Sequence, residues 1–145
     1  MPLPSDQEGA PDGDEAEAGI VQIADDDYII RKIPSAHMQP ADSGHRRISK
    51  SAFSASSASV DPEEGMSVNS EQLLQAAGVD LRQFAPEFPA LARLNVGQVR
   101  ALELTIEHRP IKGDRTHCQV LGVKEKHRKK LLRLAEFPRK PPDVV

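Results

Sequence analysis

Five histidines, His37, His45, His108, His117 and His127, are the side chains of this chain best suited to move protons near neutral pH. Two of them stand where a site can be built. His37 follows the extended run "YIIRKIP" (28–34), and His117 lies inside the alternating run "RTHCQVLGV" (115–123). Two imidazoles brought to one sheet face can serve as general base and general acid without a metal. Ser51, with Ser49 beside it, can supply hydrogen bonds that orient an imidazole or a ligand. Arg31, Arg46 and Arg47 offer guanidinium groups that match a phosphate. The expected constellation therefore has His37 and His117 as the catalytic pair, with Arg31, Ser51, Arg46 and Arg47 binding the ligand.

The other candidates read as structural. His45 sits in a loop beside Arg46 and Arg47, where solvent or an anion is its natural contact. His108 ends an alternating run ahead of Arg109-Pro110 and reads as a surface residue. His127 falls on the inner stripe of a basic helix and reads as packed. No histidine pair at i, i+4 organises Asp25, Asp26 or Asp27 into a metal site, so neither metal nor cofactor is expected. His117 and Cys118 are adjacent strand residues and point to opposite faces, which leaves Cys118 as a buried structural thiol. A phosphate-binding glycine loop, an HExxH zinc helix, a nucleophile elbow and an aromatic RNA-binding signature are all absent from the sequence.

The elements that must position these residues follow from periodicity and punctuation. Residues 28–33 alternate β-branched and polar positions and read as a strand ended by Pro34, after "GIVQIA" (19–24) as a short strand or extended lead-in. Residues 35–47 are turn-rich. "ISKSAF" (48–53) alternates and reads as a strand with Phe53 as a core anchor, and 66–69 as a brief strand. Ser70 is placed to cap a helix over 71–77, with Gly78 just past its end. Residues 79–89 are irregular around Pro86 and Pro89. A strand over 90–94, a helix over 96–101 capped by Asn95, and strands over 102–108 and 115–123 follow. The clearest helix spans 124–137, with Val123, His127, Leu131, Leu134 and Ala135 inside and Lys126, Arg128, Lys129, Lys130 and Arg133 around them. This order predicts an α+β fold: a small, mostly antiparallel sheet carrying two or three helices.

Composition sets the limits. Hydrophobic residues are 38% of the 145, aromatics 3%, so part of the chain should lie outside any core. Residues 1–18 are acidic and almost free of large apolar side chains, and are expected to be a disordered tail. A single domain is expected over 19–137, with a serine-rich loop at 54–65 and a C-terminal tail at 138–145. One cysteine excludes an internal disulfide and fits a reducing compartment. The N-terminus lacks the features of a secretory signal, and no apolar run approaches the ~20 residues of a membrane helix. A cytoplasmic protein with no membrane partner is therefore expected.

The net charge of −3 conceals a polarity. Residues 1–27 hold nine Asp/Glu and no Lys/Arg, which leaves 19 Lys/Arg against 13 Asp/Glu in 28–145, a balance of +6. Residues 111–145 alone carry ten Lys/Arg and four Asp/Glu. Such a surface suits nucleic acid or another polyanion, guarded by the acidic tail.

The pieces "YIIRKIPSAH", "SKSAF", "MSVN" and "THCQVLG", in that order, resemble a group of small uncharacterised bacterial proteins. Their pattern runs Arg-Arg-Ile-Pro-x-x-His, Ser-Ser-Ala-Ala-Phe, Leu-Ser-Val-Asp and Asn-Pro-Ala-His-x-x-Val-x-Gly. Arg31, Ile33, Pro34, His37, Ser51, Ala52, Phe53, Ser67, Val68, His117, Val120 and Gly122 match it. Lys32, Lys50 and Asn69 depart from it, as does "GDRTH" before Cys118. The resemblance implies no established activity and favours His37 and His117 over the other histidines. The expected function is binding or processing of a phosphate-bearing ligand, RNA or a nucleotide. The alternative is a non-catalytic accessory protein that offers a sheet edge or the 124–137 helix to a protein partner.

Overall fold

Residues 28–33 do form a strand, and it becomes the inner strand on which the sheet is assembled. The computed structural model describes residues 20–40, 45–54 and 65–144. The expectations for residues 1–18 and most of the serine-rich loop (55–64) lie outside them. Strand β1 (Tyr28–Ile33) is followed by a 3-10 turn (Ser35–His37) and a hairpin of β2 (Met38–Pro40) and β3 (Arg46–Ile48). A second 3-10 turn (Lys50–Ala52) leads on to β4 (Met66–Ser70), α1 (Glu71–Ala76), β5 (Ala90–Asn95) and α2 (Val96–Arg100). The chain continues through β6 (Thr105–His108), β7 (His117–Leu121), α3 (Glu125–Leu134) and β8 (Glu136–Arg139). The fold is α+β. Its main sheet has six strands in the order β6-β7-β4-β1-β5-β8, antiparallel throughout.

Alternation sorts the strands into two faces. One face presents Ile29 and Ile33, Met66 and Val68, Ala90, Ala92 and Leu94, and Cys118 and Val120. It is covered by Ile48, Ala52 and Phe53, by Val96 and Val99 of α2, and by Leu131 of α3. The other face holds a smaller cluster of Ile30, Leu74 and Leu91, closed by Val79, Leu81 and Phe84. At Gly65 a Cβ would meet the Val120 carbonyl oxygen at 2.0 Å, so only glycine lets β4 start this close to β7.

Both expected caps form. Ser70 Oγ accepts from the Leu73 amide at 3.2 Å, and Asn95 Oδ1 from the Gln98 amide at 3.0 Å. Asp27, buried, adds to the first cap by accepting from Ser70 Oγ at 2.6 Å and from the Gln72 amide at 3.1 Å.

Two expectations fail for stated reasons. Residues 48–53 are not a strand: β3 ends at Ile48, and Ser49 Oγ accepts the Ser51 amide, which turns the chain into a 3-10 bend. Phe53 is nonetheless fully buried. Residues 138–144 are not a free tail. Helix α3 stops at Leu134, and β8 pairs with β5 as an edge strand, where Pro138 is tolerated. Val144 is buried, and Asp143 forms an ion pair with Arg46 at 2.5 Å. Among the described residues no helix is long and apolar enough to cross a membrane.

Candidate functional site

The residues expected to form one site are divided between two ends of the sheet. His37 lies beyond the Ile33 end of β1, where its carbonyl oxygen accepts the Ser49 amide at 2.7 Å. Ser51 is in the turn that bond anchors, so His37 and Ser51 share a corner. Arg31 shares it too: its guanidinium donates to the carbonyl oxygens of Ala52 (2.9 Å), Ser67 (2.8 Å) and Ser54 (3.4 Å). Burial pushes Arg31 down to about 10, still fully charged at neutral pH. It acts as a fork that ties the 50–54 turn to β4, with its donors spent on carbonyls rather than aimed at a phosphate.

His117 is elsewhere. It pairs with Asn69, which pairs with Ile30, at the opposite end from Ile33. Only 9% of it is exposed, and its Nδ1 lies 2.8 Å from the Arg109 carbonyl oxygen. That contact requires Nδ1–H as donor. Its neighbour Asn69 donates to Asp114 and to Thr116, each at 2.8 Å. The expected meeting of His37 and His117 is thus corrected by strand order: β4 lies between β1 and β7, and the two imidazoles sit at opposite ends of them.

The remaining expected ligands separate as well. Arg46 is held by Asp143 through two hydrogen bonds (2.5 and 2.8 Å), which keep the Asp143 carboxyl below its usual range. Arg47 is exposed and lines a groove of about 310 Å³ with Ile48, Leu132 and Phe137. His108, read as a surface residue, is buried. The Val21 amide donates to its Nδ1 at 2.9 Å, and its Nε2–H donates to the Arg115 carbonyl oxygen at 2.7 Å. The signal was in the alternation, since His108 follows Leu104 and Ile106 on the same face. Cys118 is a buried free thiol, raised to about 12 by burial and then by Asp27. No group of three His, Cys, Asp or Glu side chains suited to a metal exists among the described residues.

What the structure does assemble is a cationic surface on α3. The helix docks through His127 and Leu131, both buried, with Leu132, Leu134 and Ala135 at the margins. His127 also closes the first turn, its Nδ1 accepting the Lys124 amide at 2.9 Å. At ~100° per residue, this seating turns Lys126, Lys129, Lys130 and Arg133 outward within an arc of about 100°. All four are exposed, and none has a carboxylate partner among the described residues. Glu125 is the only acid of the helix. It is shared by Lys50 at 3.2 Å and Arg128 at 3.3 Å. The crowding is visible at His127, whose pKa is lowered by burial and then by Lys126, Lys130 and Lys124.

Four arginines elsewhere are engaged within the fold. Arg93 bonds Glu71 and Glu136 and stacks 3.5 Å from the Tyr28 ring centroid. Arg100 pairs with Asp25, and Arg82 with Asp80. Arg139 donates to five carbonyl oxygens between Leu81 and Phe88 and so pins the irregular loop.

No family model, no curated protein and no solved structure matches this chain.

Proposed function

We propose that this protein binds the phosphate backbone of a nucleic acid through the outward face of α3. The observation that supports it is the set of four exposed cations, Lys126, Lys129, Lys130 and Arg133, with no carboxylate partner among the described residues. A polyanion that neutralises them releases condensed counterions, a gain that exposed ion pairs within the protein do not supply. Lys124 at the helix start and Arg47 on the neighbouring hairpin extend the positive surface. The reading keeps the phosphate-bearing ligand expected from the sequence and assigns it to α3 rather than to a histidine pair. It places the protein in the cytoplasm, where a lone thiol such as Cys118 stays reduced.

Fluorescence anisotropy with a labelled single-stranded RNA tests it. Four neutralised phosphates at about 0.7 each predict a slope of about −3 in log K against log salt. Affinity independent of salt, or no binding at about 50 mM salt, would remove the proposal. The rival reading, a non-catalytic module that offers α3 or a sheet edge to a protein, predicts the second outcome.

A further inference from the structure

We infer that residues 1–19 of this same chain compete with nucleic acid for the α3 face, an inference that rests on the function just proposed. The first reason is charge. Residues 1–19 contain Asp6, Glu8, Asp12, Asp14, Glu15 and Glu17 and no Lys or Arg. They are the complement of a helix face whose four outward cations have no carboxylate partner among the described residues. Two of the three acids that follow them are already engaged: Asp25 holds Arg100, and Asp27 caps α1.

The second reason is where this segment joins the described fold. Ile20, 59% exposed, lines a groove of about 660 Å³ that runs along β6 from His108, whose Nδ1 accepts the Val21 amide, to Leu104. A Cβ placed on Gly122 would lie 3.6 Å from Leu104 Cδ2, and Gly122 stands two residues before Lys124, the N-cap of α3. Glu103, beside Leu104, acts electrostatically on His127 in the first turn of α3. Residues 1–19 therefore enter the fold at the His108 end of this groove, about 13 Å along β6 from the Leu104 end that adjoins the helix start.

Length is no obstacle. Helix α3 has 10 residues and is about 15 Å long. A chain of 19 residues reaches up to about 65 Å when extended. Tethering converts the encounter into an intramolecular one at an effective concentration of order mM, and salt screens it beyond a Debye length of about 10 Å at 0.1 M. The chain thus carries its own polyanion mimic, which raises the affinity a nucleic acid must show to occupy α3.

The test uses the full chain with Asp6→Asn, Glu8→Gln, Asp12→Asn, Asp14→Asn, Glu15→Gln and Glu17→Gln. Binding of labelled single-stranded RNA should tighten about tenfold at about 50 mM salt, and the gap should close near 0.5 M. Adding Lys126→Glu and Lys130→Glu to the neutralised chain should abolish the gain. A gain that survives those two substitutions overturns the inference, because the acids would then act on another surface. Equal affinity of the wild-type and neutralised chains overturns it while leaving RNA binding by α3 intact. Absence of RNA binding by both chains overturns the proposed function and the inference together.

Discussion

Arg31 and Lys130 carry the same formal charge and lie on opposite sides of one division within the molecule. Arg31 is half-buried under the 50–54 turn, with donors on three carbonyl oxygens and its pKa lowered by the partial loss of water. Lys130 is exposed on α3, beside three other cations, with no acid to answer it among the described residues. A buried cation is costly unless its donors are satisfied, so every bond Arg31 makes is owed to folding. An exposed cation without a partner contributes almost nothing to folding and retains its full attraction for an external anion. Pairing thus separates charge that holds the fold from charge left to meet a ligand.

The largest effect should come from breaking the buried side of that comparison. Arg31→Met leaves three carbonyl oxygens without their donor in a half-buried site. Hydrogen bonds from a charged donor are worth about 1.5–3 kcal/mol each, and one of the three is long, so a loss of about 3–4 kcal/mol is expected. Urea denaturation measures it. Arg31→Lys should recover less than half, because an ammonium cannot span the fork. A Met variant within about 1 kcal/mol of wild type would show that the guanidinium is not the latch described here.

The exposed side should behave in the opposite way. Lys126→Glu with Lys130→Glu should leave the urea midpoint nearly unchanged, within about 0.5 kcal/mol for each surface change. RNA affinity at low salt should fall by at least about tenfold, or ~1.4 kcal/mol. Loss of stability with unchanged RNA affinity would reverse the assignment of the two regions.

The histidines sharpen the comparison at an intermediate scale. His117→Ala removes the donor to the Arg109 carbonyl oxygen from a nearly closed site, and should cost about 1–2 kcal/mol. His37→Ala should cost about 0.5 kcal/mol or less, since the part of His37 that bonds Ser49 is its backbone. Neither should change RNA affinity. A shared loss of binding in both, at unchanged stability, would restore the paired-histidine site.

Local signals were legible in the sequence, and non-local ones were not. Ser70 and Asn95 were readable as caps because a helix N-terminus needs an acceptor three residues ahead, whatever the rest of the fold does. The α3 stripe was readable because seating a helix needs apolar positions at its own period. The segment 48–53 misled because Ile48 and Phe53 alternate with polar residues, while the Ser49 hydroxyl bends the chain locally. β8 was hidden by its short length and by Pro138, which an edge strand accepts and an inner strand does not. The candidate site depended on strand order. Nothing near His37 or His117 says that β4 separates β1 from β7.

The 49–51 turn offers a smaller contrast of the same kind. Ser49→Ala removes the hydroxyl that accepts the Ser51 amide and should cost about 1 kcal/mol, like the loss of a helix cap. Ser51 contributes through its backbone, since its amide bonds Ser49 and its carbonyl oxygen accepts from Ser54 Oγ at 2.8 Å. Ser51→Ala should therefore be near neutral in thermal denaturation. The reverse order of effects would return Ser51 to the role first expected of it.

The smallest effect links the two regions through pH. His127 is buried under the cationic face and accepts the Lys124 amide, a bond that only the neutral imidazole can make at Nδ1. Burial and the three neighbouring lysines lower its pKa below the ordinary 6.5, while Glu103 opposes them weakly. A base with a lowered folded pKa binds fewer protons folded than unfolded in that window. Its contribution is therefore present above pH 6.5 and is lost as pH falls through the folded value. Amide hydrogen exchange over Glu125–Leu134 should be slow near pH 7.5 and, after correction for intrinsic rates, less protected near pH 5. His127→Leu cannot accept the bond, so its α3 protection should be lower at neutral pH and no longer vary across this range. Equal protection of wild-type α3 at both pH values would mean that the Lys124–His127 bond is not what starts the helix. The cationic face would then keep its alignment without a neutral histidine beneath it.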